Sequence, residues 1–140
     1  MFEMVVHAIL CCDRIITENN GKKGLIGVFH SFQFPRVPAA SPQWFIYGAL
    51  GSMARGTYDF RISLTHGQSS DEVYARTGDI RIRREREDVE LVLPVTCTFE
   101  NYGAHVITLE IAEEVVASRI LRVSPTVSTA GGASGNGAGS

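Results

Sequence analysis

The chain has 140 residues, with 13 basic and 15 acidic side chains for a formal charge of −2, and is 44% apolar and 20% charged. A chain of this length forms one domain and buries about two thirds of the surface that its unfolded form exposes. The composition excludes a disordered protein, and the charge balance argues against one built to neutralise phosphates, so no nucleic-acid partner is expected.

The first apolar run, Met4 to Cys12, follows an acidic residue and has no basic region before it. It is too short to span a bilayer and lacks the layout of a secretory signal, so no membrane partner is expected. Three cysteines, two of them adjacent, are no disulfide framework. They indicate a reducing, cytoplasmic setting. The run is apolar on both faces, as is "QWFIYGAL" further on, and both patterns suit central strands.

Between them, "TENNGKKG" reads as a turn in which Asn-Asn-Gly and Gly24 supply positive-φ positions. "GLIGVFHSF" then predicts a strand over residues 24–32, with Ile26, Val28 and Phe32 in phase. Pro35, Pro38 and Pro42 cannot donate ladder hydrogen bonds, so Phe34 to Ser41 must be a stiff loop or a sheet-edge crossover. Its exposed side, centred on Phe34, Pro35, Arg36, Val37 and Pro38, is the candidate partner-binding loop. The Phe34–Pro35 bond is the candidate cis peptide. Trp44 to Leu50 follows as a strand, and "GSMARG" reads as a hairpin loop.

"TYDFRISLT" gives the clearest strand: Tyr58, Phe60, Ile62 and Leu64 share one face, and Thr57, Asp59, Arg61 and Ser63 the other. Further strands are expected at residues 73–76, 79–83, 88–93 and 95–99. "RIRREREDVE" alternates in sign and reads as a solvated hairpin with cross-strand ion pairs. "HVITLEI" and "ASRILRV" place Ile107, Leu109, Ile111, Ala117, Leu121 and Val123 in phase and form a hairpin across Glu113 and Glu114. A helix over Ile107 to Leu121 is the rival reading; the β-branched content opposes it. The glycine-rich residues 125–140 have almost nothing to bury and read as a flexible Gly/Ala/Ser tail after a domain of residues 1–124.

About eight or nine short strands with turns between them predict an all-β fold, a single antiparallel β-sandwich of the immunoglobulin-like or C2-like kind. A closed barrel is the alternative.

Chemistry is sparse. Cys11 and Cys12 point to opposite faces of a strand, Cys97 sits in an alternating segment, and zinc-ligand spacings are absent. All three read as buried small hydrophobes. His7, His30, His66 and His105 are scattered, so only the fold could bring them together. Gly-x-Ser-x-Gly is missing, and "GSMARG" lacks the helix start that a phosphate cradle needs. Acidic pairs such as Asp71–Glu72 and Glu113–Glu114 lie in turns without the aspartate clusters of a calcium site. No metal, cofactor or enzymatic activity is therefore expected.

Taken in order, "NGKKG", "LIGVF", "FPRVPAASP", "GTYDFRISL" and "FENYGAHVITLEI...VASRILRV" resemble a family of small bacterial β-sandwich proteins known only as a domain of unknown function. The resemblance covers most of Cys11 to Val123, and its most specific parts are Asp13, Gly21 to Phe29 and the Gly103 hairpin. It implies the sandwich fold and carries no catalytic residue or cofactor. The glycine-rich tail is a departure from it.

Three functions fit such a chain. One is a non-enzymatic module for protein–protein interaction or assembly, including self-association. Another is a structural subunit of a larger particle, a virion decoration or a filament, with the tail ordered by a neighbour. The third is a sandwich that binds a small molecule or carbohydrate through exposed aromatics such as Trp44, Tyr47 or Tyr102.

Overall fold

A computed structural model describes residues 4–127, and these residues form an all-β sandwich. Its strands are β1 (Val5–Thr17), β2 (Lys23–Phe29), β3 (Ser31–Phe34), β4 (Ala39–Ala40), β5 (Trp44–Met53), β6 (Gly56–His66), β7 (Glu72–Ile82), β8 (Glu87–Val95), β9 (Thr98–Phe99), β10 (Gly103–Ile111) and β11 (Glu114–Pro125). One sheet has the order β2-β1-β5-β8, the facing sheet β3-β11-β10-β6-β7, and β4 with β9 forms a small third ladder. The doubly apolar β1 and β5 are the two central strands of the first sheet.

Alternation decides which faces meet. Phe60, Ile62, Leu64, Ile107, Leu109, Ile111, Leu121 and Val123 are buried from one sheet, and Ile9, Cys11, Trp44, Ile46 and Leu50 from the other. Tyr58 packs partly against the same core. The β10–β11 hairpin turns through Ala112 and Glu113, both at positive φ. No helix long and apolar enough to cross a membrane occurs among the described residues.

Several segments differ from the expectation. Residues 24–32 do not make one strand: the chain reverses at His30 and passes into the facing sheet, where β3 runs parallel to β11. The sandwich is therefore not wholly antiparallel. Ile26 and Val28 point outward at 40% and 49% exposure, because Phe29 is the residue that packs against the core. Of the two glycines expected to supply positive φ, Gly21 does so in the turn; the other such position is Gly27, not Gly24.

The two strands expected at 73–76 and 79–83 are one strand, Glu72–Ile82, because Gly78 leaves room for the ring of its register partner Phe60 instead of breaking the chain. Residues 88–99 give β8 and the two-residue β9, with Cys97 between them. "GSMARG" and the arginine-rich segment each carry the chain from one sheet to the other instead of closing a paired hairpin. In the latter, Glu87 accepts the backbone N–H groups of Arg83 and Arg84, where cross-strand ion pairs were expected. β11 runs through Pro125, which pairs with Phe34. The rest of the expected tail, residues 128–140, lies outside the described residues.

The end of the β1–β2 hairpin bends back. Lys23 is the register partner of Thr17, whereas Glu90 of β8 pairs with Ala49 opposite Ala8. Nine residues of flat strand would separate those levels by about 30 Å. Lys23 Nζ nevertheless lies 3.8 Å from Glu90, so the hairpin arches over the outer face of its own sheet. Cys12 on that face has no exposure. Tyr47 donates to Glu90 there, and burial, followed by the Glu90 carboxylate, pushes its phenol up to about 12.

Candidate functional site

The proline loop lies at the end of the sandwich where β3, β5 and β10 meet, and both of its sides are anchored. On the entry side, Phe34 stacks on Phe32 with centroids 5.6 Å apart and leans against Phe99 at 5.9 Å. The Phe34 carbonyl accepts from Tyr102 Oη at 3.0 Å and from the Thr126 N–H at 3.1 Å. On the exit side, Ala39 and Ala40 pair with Phe99 and Thr98. The Ser41 N–H donates to the Cys97 carbonyl, and the Cys97 N–H donates back to Ser41 Oγ at 3.2 Å.

Between these anchors Pro35, Arg36 and Pro38 are exposed, and Val37 is half-buried. The cis peptide is Val37–Pro38, not Phe34–Pro35. Of the five candidate residues, Phe34 thus serves the aromatic cluster, and the other four form the presented surface. Two prolines, Pro35 and Pro38, and two anchors leave this surface little conformational freedom to lose on binding. Arg36 is its only charge, and its planar fork suits a carboxylate or a backbone carbonyl.

Beneath the loop, Phe29, Phe32, Phe34, Trp44 and Phe99 form a continuous aromatic cluster. Trp44, expected as an exposed ligand-binding aromatic, is 1% exposed in this cluster, and Tyr47 and Tyr102 are half-buried with their hydroxyls bonded to Glu90 and Phe34. The packing demand of the two sheets took Trp44 from the surface.

Two histidines meet at the edge of the cluster. His66 and His105 are register partners with ring centroids 5.1 Å apart, and His105 also meets the Phe99 ring edge-on at 5.2 Å. The Ser69 N–H points at His66 Nδ1, leaving the proton on Nε2 to donate to the Tyr102 carbonyl at 3.1 Å. His105 donates from Nδ1 to the Gly103 carbonyl at 3.0 Å, and its buried Nε2 has no partner. Burial lowers the pKa of His105, opposed by the Gly103 carbonyl and reinforced by His66. The sequence held a signal for this pair: His105 opens the inward phase of Ile107, Leu109 and Ile111, and His66 continues that of Phe60, Ile62 and Leu64. Their meeting depends on strand register, which alternation does not reveal.

The cysteines do not converge on this site as a reactive group. Cys11, Cys12 and Cys97 are free and buried. Desolvation raises all three thiols, Cys11 to about 12. His7 and His30 are exposed and stand apart from the pair. Among the described residues no three His, Cys, Asp or Glu side chains gather in a way that could hold a metal ion.

Comparison with curated proteins gives no match. One family profile matches residues 7–124, from the third residue of β1 to the penultimate residue of β11. Over that span, which takes in nearly all of the sandwich, the chain belongs to the family of unknown function DUF6941.

Proposed function

We propose that this domain is a protein-interaction module that engages its partner through the Phe34–Ser41 loop, with Arg36 as the central contact. The observation that carries the reading is the loop's construction: exposed Pro35, Arg36 and Pro38 are held between the Phe34 carbonyl, which takes two hydrogen bonds, and the Ala39–Ser41 ladder. Hydrogen-bonding effort spent on both flanks of an exposed segment suits recognition, since pre-ordering lowers the entropic cost of binding.

The test is site-specific photo-crosslinking. A photoreactive residue at position 36 is expected to trap one protein species, and the same residue at position 85, in the arginine-rich connection, to trap none. Arg36→Ala should weaken capture through a probe at position 38 by about tenfold or more, as loss of a central interface arginine does. Equal capture from positions 36 and 85 would reject the reading. If the partner is a second copy, light scattering will give a multiple of 15.3 kDa that reverts in Arg36→Glu.

A further inference from the structure

One side of the sandwich is closed along only half its length. β2 pairs with β1 at residues 11–17, and β3 pairs with β11 at residues 122–125. Among the described residues, 5–10 of β1 and 114–121 of β11 therefore have no strand beside them on that side. The two stretches flank one seam, with Val5 and Val6 at the same end of it as Glu114, Val115 and Val116. At its end opens a groove of about 540 Å³, lined by Met4, Val6, Val115 and Val116, with Arg86 and Glu114 among its polar lining.

Two features set this edge apart. Val5, Val115 and Ile120 stand along it at 48%, 62% and 51% exposure. The long outer edge at the other side of the same sheet, β7, is instead blunted by Glu72, Arg76, Asp79 and Arg81, charges of both signs that discourage strand addition. The second feature is Arg119. It lies on the inward phase of β11 with Leu121 and Val123, close enough to Cys11 to act on its thiol. Its Nε is buried without a hydrogen-bond partner, and it takes part in neither ion pair found among the described residues. A buried guanidinium N–H left unpaired is costly, and a carboxylate is the group that satisfies it best.

We propose that this seam is a β-augmentation site for an extended segment of a partner protein. The segment hydrogen-bonds to the free β11 edge over residues 114–121, lays aliphatic side chains against Val115 and Val116, and brings a glutamate or aspartate to Arg119. The chain's own remaining residues do not suit the role: residues 128–140 contain no acidic or large aliphatic side chain, and residues 1–3 are too few to line this edge. A two-fold pairing of the whole edge with a second copy, 114 opposite 121, sets Arg119 opposite Val116; bringing Glu114 opposite Arg119 needs a shift that leaves Ile120 and Leu121 facing the turn residues Glu113 and Ala112. The site lies at the other end of the sandwich from the proline loop and stands independently of the function proposed for that loop.

The experiment uses the full chain and three blocked nonapeptides of alternating valine and threonine that carry a single central Glu, Gln or Lys. Fluorescence anisotropy should rank Glu about tenfold or more tighter than Gln, with Lys weakest, as a charge-assisted hydrogen bond requires. Hydrogen exchange should show protection of the amides at 114–121 when the Glu peptide binds. Arg119→Gln should bind the Glu and Gln peptides alike. Three results would overturn the proposal: equal binding of the Glu and Lys peptides to the native protein, absence of protection at 114–121, or an unchanged Glu preference in Arg119→Gln. Protection of 114–121 that scales with protein concentration alone would overturn it in favour of a second copy. If Arg119→Gln fails to fold, the Glu-against-Lys comparison and the exchange pattern on the native chain still decide.

Discussion

His66 and His105 face each other across the β6–β10 ladder, yet only one of them has its hydrogen bonds complete. His66 accepts at Nδ1 and donates at Nε2, while His105 Nε2 is buried with no donor. Burial is the main cause that lowers the His105 pKa and so favours its neutral form; the Gly103 carbonyl opposes it and His66 adds to it.

Stability should follow from this. The folded-state pKa of His105 lies below its ordinary 6.5, so in the acid range the unfolded chain binds more protons there. The contribution is complete above pH 6.5 and is lost as pH falls through the folded value. Urea midpoints measured from pH 8 to pH 5 should fall on the acid side, and His105→Leu should flatten that fall. Parallel profiles for the two proteins would count against the assignment.

Strand phase makes a second test. Phe60 is 7% exposed in the core, and its neighbour Asp59 is exposed on the outer face directly opposite Asp79. Phe60→Asp should cost about 4 kcal/mol or more, through a lost ring and a buried unpaired charge. Asp59→Ala should stay within about 0.5 kcal/mol, with relief of like-charge repulsion favouring the variant. Denaturant titration of both gives the comparison, and equal losses would mean that the faces are reversed.

The contrast between these two residues also marks what could be read from sequence. Phe60, Ile62 and Leu64 on β6, and Ile107, Leu109 and Ile111 on β10, were legible because one face of each strand meets the core and the other meets water. Ile26 and Val28 misled for the opposite reason. The chain changes sheet at His30, so parity with Phe32 carries no information about β2. Gly78 misled because a glycine in a strand looks like a turn; what it does is receive the Phe60 ring, whose Cε2 would lie 2.7 Å from an added Cβ. The proline loop was legible as a loop, since proline cannot donate to a ladder. That Phe34 belongs to the cluster below depends on Phe99 and Tyr102, which reach it only through tertiary structure. The open seam was invisible for a similar reason: it arises from β2 ending early beside β1 and β3 beginning late beside β11, a relation among four strands.

Gly27 offers a test of the β1–β2 hairpin. It sits at φ +70°, and a Cβ there would collide with the Asp13 carboxylate. Gly27→Ala should therefore cost about 2 kcal/mol from backbone strain and collision together. In an Asp13→Ala background the collision disappears and about 1 kcal/mol should remain. A double-mutant cycle from denaturation curves measures the coupling, and a value of zero would show that Asp13 does not restrict this position.

The thiols give the last prediction. Cys11 and Cys97 face the core, Cys12 lies under the arched hairpin, and desolvation raises each thiol above its usual value. Because the thiolate is the reactive form, a disulfide reagent at pH 8 should modify the native protein slowly and all three cysteines at once after unfolding. The three should also differ. Cys12 is shielded by a hairpin whose end is tied by the partly exposed Lys23–Glu90 pair, a contact worth about 1 kcal/mol or less, so local opening should reach it first. Lys23→Ala should then speed labelling at Cys12 and leave Cys11 and Cys97 unchanged, as read by mass spectrometry of the labelled peptides. Equal acceleration at all three sites would mean that labelling reports global unfolding and that the arch opens only with the whole domain.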